Sequence, residues 1–173
     1  MKHQQAVQDT LSKEENNSME FRIAKNGIFF TLQGEGQNSG YPTLFIRLHG
    51  SNINYGREEL RHTWDKLHPD YDSFISIDKR DLLKIALKHI KVSTQSNTIR
   101  NICFTGGGAM LQQKSIISFV ENNLNYKYEI ETNGLIYPND ELNKLFKQCI
   151  EYWLTLSPRM HLDINSKKQI HER

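Results

Sequence analysis

Thr43-Leu-Phe-Ile-Arg-Leu-His49, closed by Gly50 and followed by Ser51-Asn-Ile-Asn-Tyr-Gly-Arg-Glu-Glu-Leu-Arg-His-Thr-Trp-Asp65, is the stretch from which the rest of the chain can be read. The first part is a short, nearly continuous apolar run broken only by Arg47, as expected of a strand buried on both faces. Gly50 ends it, and a polar loop follows directly. The loop after such a strand is where an α/β protein gathers its chemistry.

Upstream, Ile28-Phe-Phe-Thr-Leu32 reads as another strand, β-branched and aromatic, and Gln33 to Pro42, dense in Gly, Asn and Ser, reads as a loop. From the long loop through Asp72 no period emerges. Asp78 and Asp81 then cap a helix expected over Lys79 to Ile90, with Leu82, Leu83, Ile85, Ala86 and Ile90 on one apolar face. Thr98-Ile-Arg-Asn-Ile-Cys-Phe104 is a strand that stops at Thr105-Gly-Gly-Gly108. Met110 to Leu124 carries Met110, Leu111, Ile116, Ile117, Val120 and Leu124 at helical spacing, a core stripe and not a cofactor box. Lys127-Tyr-Glu-Ile-Glu131 is a strand, Asn133-Gly134 a turn, and Pro138-Asn-Asp140 a helix start. Leu142, Leu145, Phe146 and Cys149 bury that helix, and Tyr152-Trp-Leu-Thr-Leu156 is the last strand.

Strands alternating with helices at this spacing predict parallel pairing and an α/β fold. Right-handed crossovers would set every strand's carboxyl end on one rim. Gln33 to Gly36, Gly50 to Arg61, Thr105 to Gly108, Thr132 to Gly134 and Ser157 to Arg159 are expected there. No internal repeat is evident.

A chain of 173 residues, 37% hydrophobic and 24% charged, suits one globular domain with a sizeable core. Residues 1–20 are polar and without period, so a flexible extension is expected, with a single domain over 21–173. A formal charge of +2 offers no electrostatic case for nucleic acid or an anionic membrane. Neither a spanning segment nor a secretory leader is read, which makes the cytoplasm the expected compartment. The two cysteines, Cys103 and Cys149, lie in apolar contexts on different elements and read as buried free thiols.

Taken together, Leu32-Gln-Gly-Glu-Gly36, Pro42, Phe45-Ile-Arg47, the loop from Gly50, Thr105-Gly-Gly-Gly108, Ile130-Glu-Thr-Asn-Gly134 and Leu156-Ser-Pro-Arg159 resemble the 7-carboxy-7-deazaguanine synthase family. The resemblance runs from about Ile28 to Asn165. It implies an incomplete (β/α) barrel of the radical S-adenosylmethionine type, with a mainly parallel sheet. That family serves queuosine biosynthesis and hence tRNA modification. Its members bind a 4Fe-4S cluster through three cysteine thiolates and cleave S-adenosylmethionine to an adenosyl radical. The radical abstracts hydrogen from 6-carboxy-tetrahydropterin, and ring contraction follows with magnesium assisting. Carried over by position, Leu32, Gln33 and Gly34 match substrate-contacting backbone, Arg47 the group that pairs with the substrate carboxylate, and Thr105 a further substrate contact. Gly107, Ser157, Pro158 and Arg159 match cofactor contacts.

The departures fall on the chemistry. Where the family reads Gly-Cys-x-x-x-Cys-x-x-Cys-Asp-Thr, this chain has Ser51, Tyr55 and Glu58 in place of the cysteines, Glu59 in place of the Asp and Leu60 in place of the magnesium-binding Thr. A hydroxyl, a phenol and a carboxylate are poor substitutes for soft anionic thiolates, and a leucine cannot ligate a hard cation. Gly108 and Ala109 replace the Glu and Pro of the family's Gly-Gly-Glu-Pro motif. Family members also continue past the Ser-Pro-Lys strand with loops that complete both pockets, whereas this sequence runs to Arg173.

Plainer roles compete for several of these residues. Arg47 could be a structural buried arginine with its own partner, and the glycines could be turn residues. His49, His62, His68, Glu58 and Glu59 show no ligand spacing and read as solvated side chains, and Trp64 and Tyr71 as packing residues. Three functions follow: a pseudoenzyme without radical chemistry, a catalysis-independent interaction or regulatory protein, and a functional synthase. The first is preferred, with no catalytic residue and no resident cofactor expected. Residual pterin or S-adenosylmethionine binding, a protein partner and a homodimer stay open.

Overall fold

The computed structural model describes residues 20–51, 73–93 (side chains through Lys88) and 99–158. The expected amino-terminal extension, all of the long loop after Ser51 up to Asp72, Ile90 as a core residue, Arg159 and the carboxyl end lie outside the described residues. Among the described residues six strands form one open sheet: β1 (Glu20–Leu32), β2 (Pro42–Leu48), β3 (Phe74–Asp78), β4 (Asn101–Thr105), β5 (Lys127–Thr132) and β6 (Glu151–Leu156). Their order is β3-β1-β2-β4-β5-β6. Helices α1 (Lys79–Ser93), α2 (Gln113–Val120) and α3 (Asp140–Phe146) connect β3 to β4, β4 to β5 and β5 to β6.

From β2 onward the sheet is parallel, as expected, with Arg47 level with Thr105, Cys103 with Glu129 and Glu131 with Thr155. One expectation fails. β1 is antiparallel to both β2 and β3, with Leu32 level with Pro42. Its carboxyl end therefore lies at the opposite edge from the others, and Gln33 to Gly36 is not on the common rim. The loop instead folds back over one face of the sheet.

Alternation along each strand gives the sheet two unlike faces. Leu44, Ile46, Leu48, Ile102, Phe104, Tyr128 and Ile130 point to the helices and meet Leu82, Ala86, Ile116, Phe119, Leu142 and Phe146 in one core. Aromatic rings tie it across the strands: Phe21 stacks 5.8 Å from Phe104, Phe104 meets Phe119 edge-on at 5.7 Å, and Phe146 stacks 4.9 Å from Tyr152. Such pairs add about 0.5–1.5 kcal/mol each beyond their buried area. The opposite, inner face carries Phe45 and Arg47, Cys103 and Thr105, Glu129 and Glu131, and Thr155. No helix covers it among the described residues.

Two further differences from the sequence reading concern element ends. β3 was not anticipated at all. The helix expected over Met110 to Leu124 is an α-helix only from Gln113 to Val120, preceded by a 3-10 turn over Ala109–Gln112. Leu111 is consequently exposed and off the core. The carboxyl end stops early because Asn122 and Asn123 donate their side-chain amides to the Ser118 and Phe119 carbonyls, competing with further turns.

Asp78 does open α1: its carboxylate accepts from the Arg80 amide at 2.8 Å and the Arg80 guanidinium at 2.9 Å. Those bonds to Arg80 hold its carboxyl down to about 2. At α3 the cap is Asn139, whose side chain accepts from Leu142 N at 2.8 Å. Asn139→Ala is expected to cost about 1 kcal/mol and to lower Tm by roughly 2–4 °C, read by thermal unfolding followed in the far ultraviolet.

Candidate functional site

The inner face becomes a site because the loop after β1 closes over it. Main-chain bonds shut the loop into a compact ring: Gln33 N donates to Tyr41 O at 2.9 Å, Gly40 N to Gln33 O at 2.7 Å, and Tyr41 N to Asn38 O at 3.0 Å. The Gln33 side chain then faces the sheet and is almost fully buried. Its Oε1 accepts from the amides of Gly34 and Glu35 at 2.7 and 3.2 Å, and its Nε2 donates to Glu131 Oε1 at 3.1 Å. Thr105 Oγ1 donates to the other oxygen of Glu131 at 2.6 Å. One carboxylate on β5 thus gathers a residue from the β1 loop and a residue from β4.

Arg47 stands level with Thr105 on the neighbouring strand, its guanidinium carbon 5.3 Å from the centre of the Phe29 ring. Phe29 in turn stacks on Phe45 at 5.1 Å. A guanidinium over an aromatic face is attracted to it and held in one orientation. A side chain at Gly34 would meet no atom within 4 Å. The main chain there is open to a ligand. Leu32 shares the alternation of Ile28 and Phe30, which pack toward the helix side, and its side chain is 61% exposed. Only its main chain is available to the inner face.

The carboxyl-end rim forms a second group. Asn133 Nδ2 donates to Gly107 O at 3.3 Å, and Ser157 N donates to Thr132 O at 2.8 Å. These bonds bring Gly107, Thr132 to Gly134, Ser157 and Pro158 together, as the sequence had them. Ser51, at the end of β2, is half-buried, while Tyr55, Glu58, Leu60 and Arg159 lie outside the described residues.

The two sulfurs do not approach that rim as a pair. Cys103 lies on the inner face, fully buried, 3.8 Å from Gln33 Nε2. Burial first, and then the charges of Glu131 and Glu129, push its thiol well above the usual range, so it stays protonated. Cys149 packs behind α3 on the helix side, with Sγ 3.7 Å from Leu145 O, and burial raises its thiol too. Protonated thiols on opposite faces of a sheet do not make a cluster ligand set. Among the described residues, no three His, Cys, Asp or Glu side chains converge as a metal site. His49 packs against the Phe74 ring at 4.9 Å.

Sequence reasoning missed the acidic pair. Glu129 and Glu131, two apart on β5, point to the same face, and Glu129 is 2% exposed. Charged residues at a period of two on a strand between two parallel neighbours were the available signal. Gln112 was missed as well: buried, it bridges β1 and the end of β2 through Arg22 N, Arg22 O and His49 O, each at 2.9 Å.

No family model matches the chain. Among curated proteins it is 30% identical over 143 residues to a 7-carboxy-7-deazaguanine synthase of Buchnera aphidicola, covering 79% of this chain and 62% of that protein. A 7-carboxy-7-deazaguanine synthase of Escherichia coli is 29% identical over 150 residues, again with 79% of this chain and 61% of the relative covered. A crystal structure of QueE from Escherichia coli matches with a TM-score of 0.53 at 25% identity, over 83% of this chain and 62% of that one. The chain therefore spans about three fifths of the relatives it matches. No helix among the described residues is long and apolar enough to cross a membrane.

Proposed function

Since the chain is a homologue of the 7-carboxy-7-deazaguanine synthases, we propose that it is a member that keeps the family's ligand-binding face without its radical chemistry. The observation that carries this reading is a contrast within one chain. Gln33 and Thr105 meet at Glu131 on the inner face, with Arg47 level with Thr105 on the next strand, whereas the loop that should hold a cluster offers Ser51, Tyr55 and Glu58.

The ligand class follows from the groups available. Glu131 can accept N–H donors beside the Gln33 amide and the Thr105 hydroxyl. Arg47, by position, matches the group that pairs with the substrate carboxylate in the family. The Gly34 main chain lets a flat ring approach closely. A bicyclic pterin bearing a carboxylate, such as 6-carboxy-tetrahydropterin, has N–H donors at one end and an anion at the other. S-adenosylmethionine is the second candidate, at Gly107 and Ser157 to Arg159. Leu32, Gln33 and Gly34 contribute main chain to the first site. No step is assigned to a cluster or to magnesium, because Ser51, Tyr55, Glu58 and Leu60 do not fit them.

The test joins two measurements on the purified chain. Anaerobic incubation with iron and sulfide, then S-adenosylmethionine and a reductant, is expected to give no bound sulfide and no 5'-deoxyadenosine. Calorimetry with 6-carboxy-tetrahydropterin is expected to give saturable heat. Cluster uptake with 5'-deoxyadenosine formation would make the chain an active synthase. Absence of heat with 6-carboxy-tetrahydropterin, and with S-adenosylmethionine titrated in the same way, would favour the catalysis-independent interaction reading.

A further inference from the structure

Glu129 is a carboxylate with no part in the ligand contacts above, and it is only 2% exposed. A charge in that position is costly unless its oxygens are bonded. Both are. Asn38 Nδ2, itself buried, donates to Oε2 at 3.1 Å, and Thr155 Oγ1 donates to Oε1. Gly36, at φ +67°, lies against the same pair: a Cβ there would overlap Thr155 Oγ1 and come within 2.8 Å of Glu129 Oε1. The loop over the inner face is therefore pinned at two points on one strand, Gln33 to Glu131 and Asn38 to Glu129.

From this convergence we infer that Glu129 is a positioning residue for the ligand-facing loop. Its two oxygens are taken by Asn38 and Thr155. It fixes Asn38 and seats Gly36, which sets how far the Gly34 and Glu35 amides stand above Glu131. Through Thr155 it also ties the loop to β6, the strand that leads into Ser157 and Pro158. The role of the loop as a ligand reader rests on the function proposed above; the pinning itself does not.

Two readouts separate those claims. The first is the affinity for 6-carboxy-tetrahydropterin of the parent chain, Glu129→Ala, Asn38→Ala and the paired exchange Glu129→Gln with Asn38→Asp. The exchange reverses donor and acceptor and keeps the net charge. Either alanine variant is expected to weaken binding roughly tenfold, and the paired exchange to recover most of that loss. The second readout is hydrogen exchange at the Gly34 and Glu35 amides, expected to quicken about tenfold in the alanine variants while amides of β4 keep the parent's rate. Should Glu129→Ala fail to fold, Thr155→Val removes one of the same bonds and is expected to act in the same direction. Parent-like affinity and parent-like loop exchange in the variants would overturn the inference. A parent chain that binds no pterin would sink the ligand reading alone, since loop exchange would still decide the role of Glu129.

Discussion

Gly106→Ala is expected to cost on the order of 3 kcal/mol or more and to lower Tm by about 6–12 °C. Gly106 has φ +121°, a conformation that L side chains rarely adopt, and an added Cβ would overlap the carbonyl oxygen of Leu48. That oxygen belongs to the last residue of β2 and cannot swing aside as a side chain would. Either β2 and β4 separate at their carboxyl ends, or the turn after Thr105 rebuilds. Both outcomes move Thr105 and Gly107, so ligand binding should fall with stability. Gly34→Ala is the control: its φ is not positive and its Cβ would meet nothing within 4 Å. Parent-like thermal stability of Gly106→Ala would mean that the approach of β4 to Leu48 is looser than described.

The same contrast shows what a sequence can and cannot disclose. Gly106 and Gly34 are both glycines after strands, and nothing in the letters says which one touches backbone. β2, β4 and β6 were legible because their largely apolar runs are short, and β5 because its short alternating run stops at Asn133-Gly134. α1 was legible because Asp78 precedes a clean helical stripe. β3 was not: Phe74, Ile75 and Ser76 are exposed on an edge strand, and Asp78 passes straight into α1 with no loop between. The helix signal that follows masks so short a strand.

The direction of β1 was readable in principle. Parallel neighbours need a crossover of about a dozen residues or more, usually with a helix. The loop from Gln33 to Tyr41, which has no helix, permits only antiparallel pairing. Reading the loop length would have moved Gln33 to Gly36 from the rim to the face. The acidic pair needed more. Asn38 and Glu129 are 91 residues apart in sequence, and Thr105 and Glu131 are 26 apart. Only the register of four strands brings them together, and no local pattern encodes that register.

Ser51→Cys, Tyr55→Cys and Glu58→Cys together are expected to turn a chain that takes up no iron–sulfide into one that does, an all-or-none change read as bound iron and acid-labile sulfide. The three replaced side chains present oxygen to iron, and cluster iron needs soft anionic sulfur. The existing thiols cannot stand in for them: Cys103 is buried beside two carboxylates and held protonated, and Cys149 is on the far side of the sheet. Each single cysteine should do nothing measurable, because the ligands act only as a set. Turnover is not expected to accompany the cluster. Leu60 still offers no oxygen to magnesium, and Gly108 and Ala109 still lack the carboxylate that would hold the amino group of S-adenosylmethionine. Cluster uptake without turnover would show that sulfur at these three positions is not by itself enough for the reaction. Equal iron and sulfide uptake by the parent chain and the triple variant would overturn the argument, since sulfur at those three positions would then be irrelevant to the cluster.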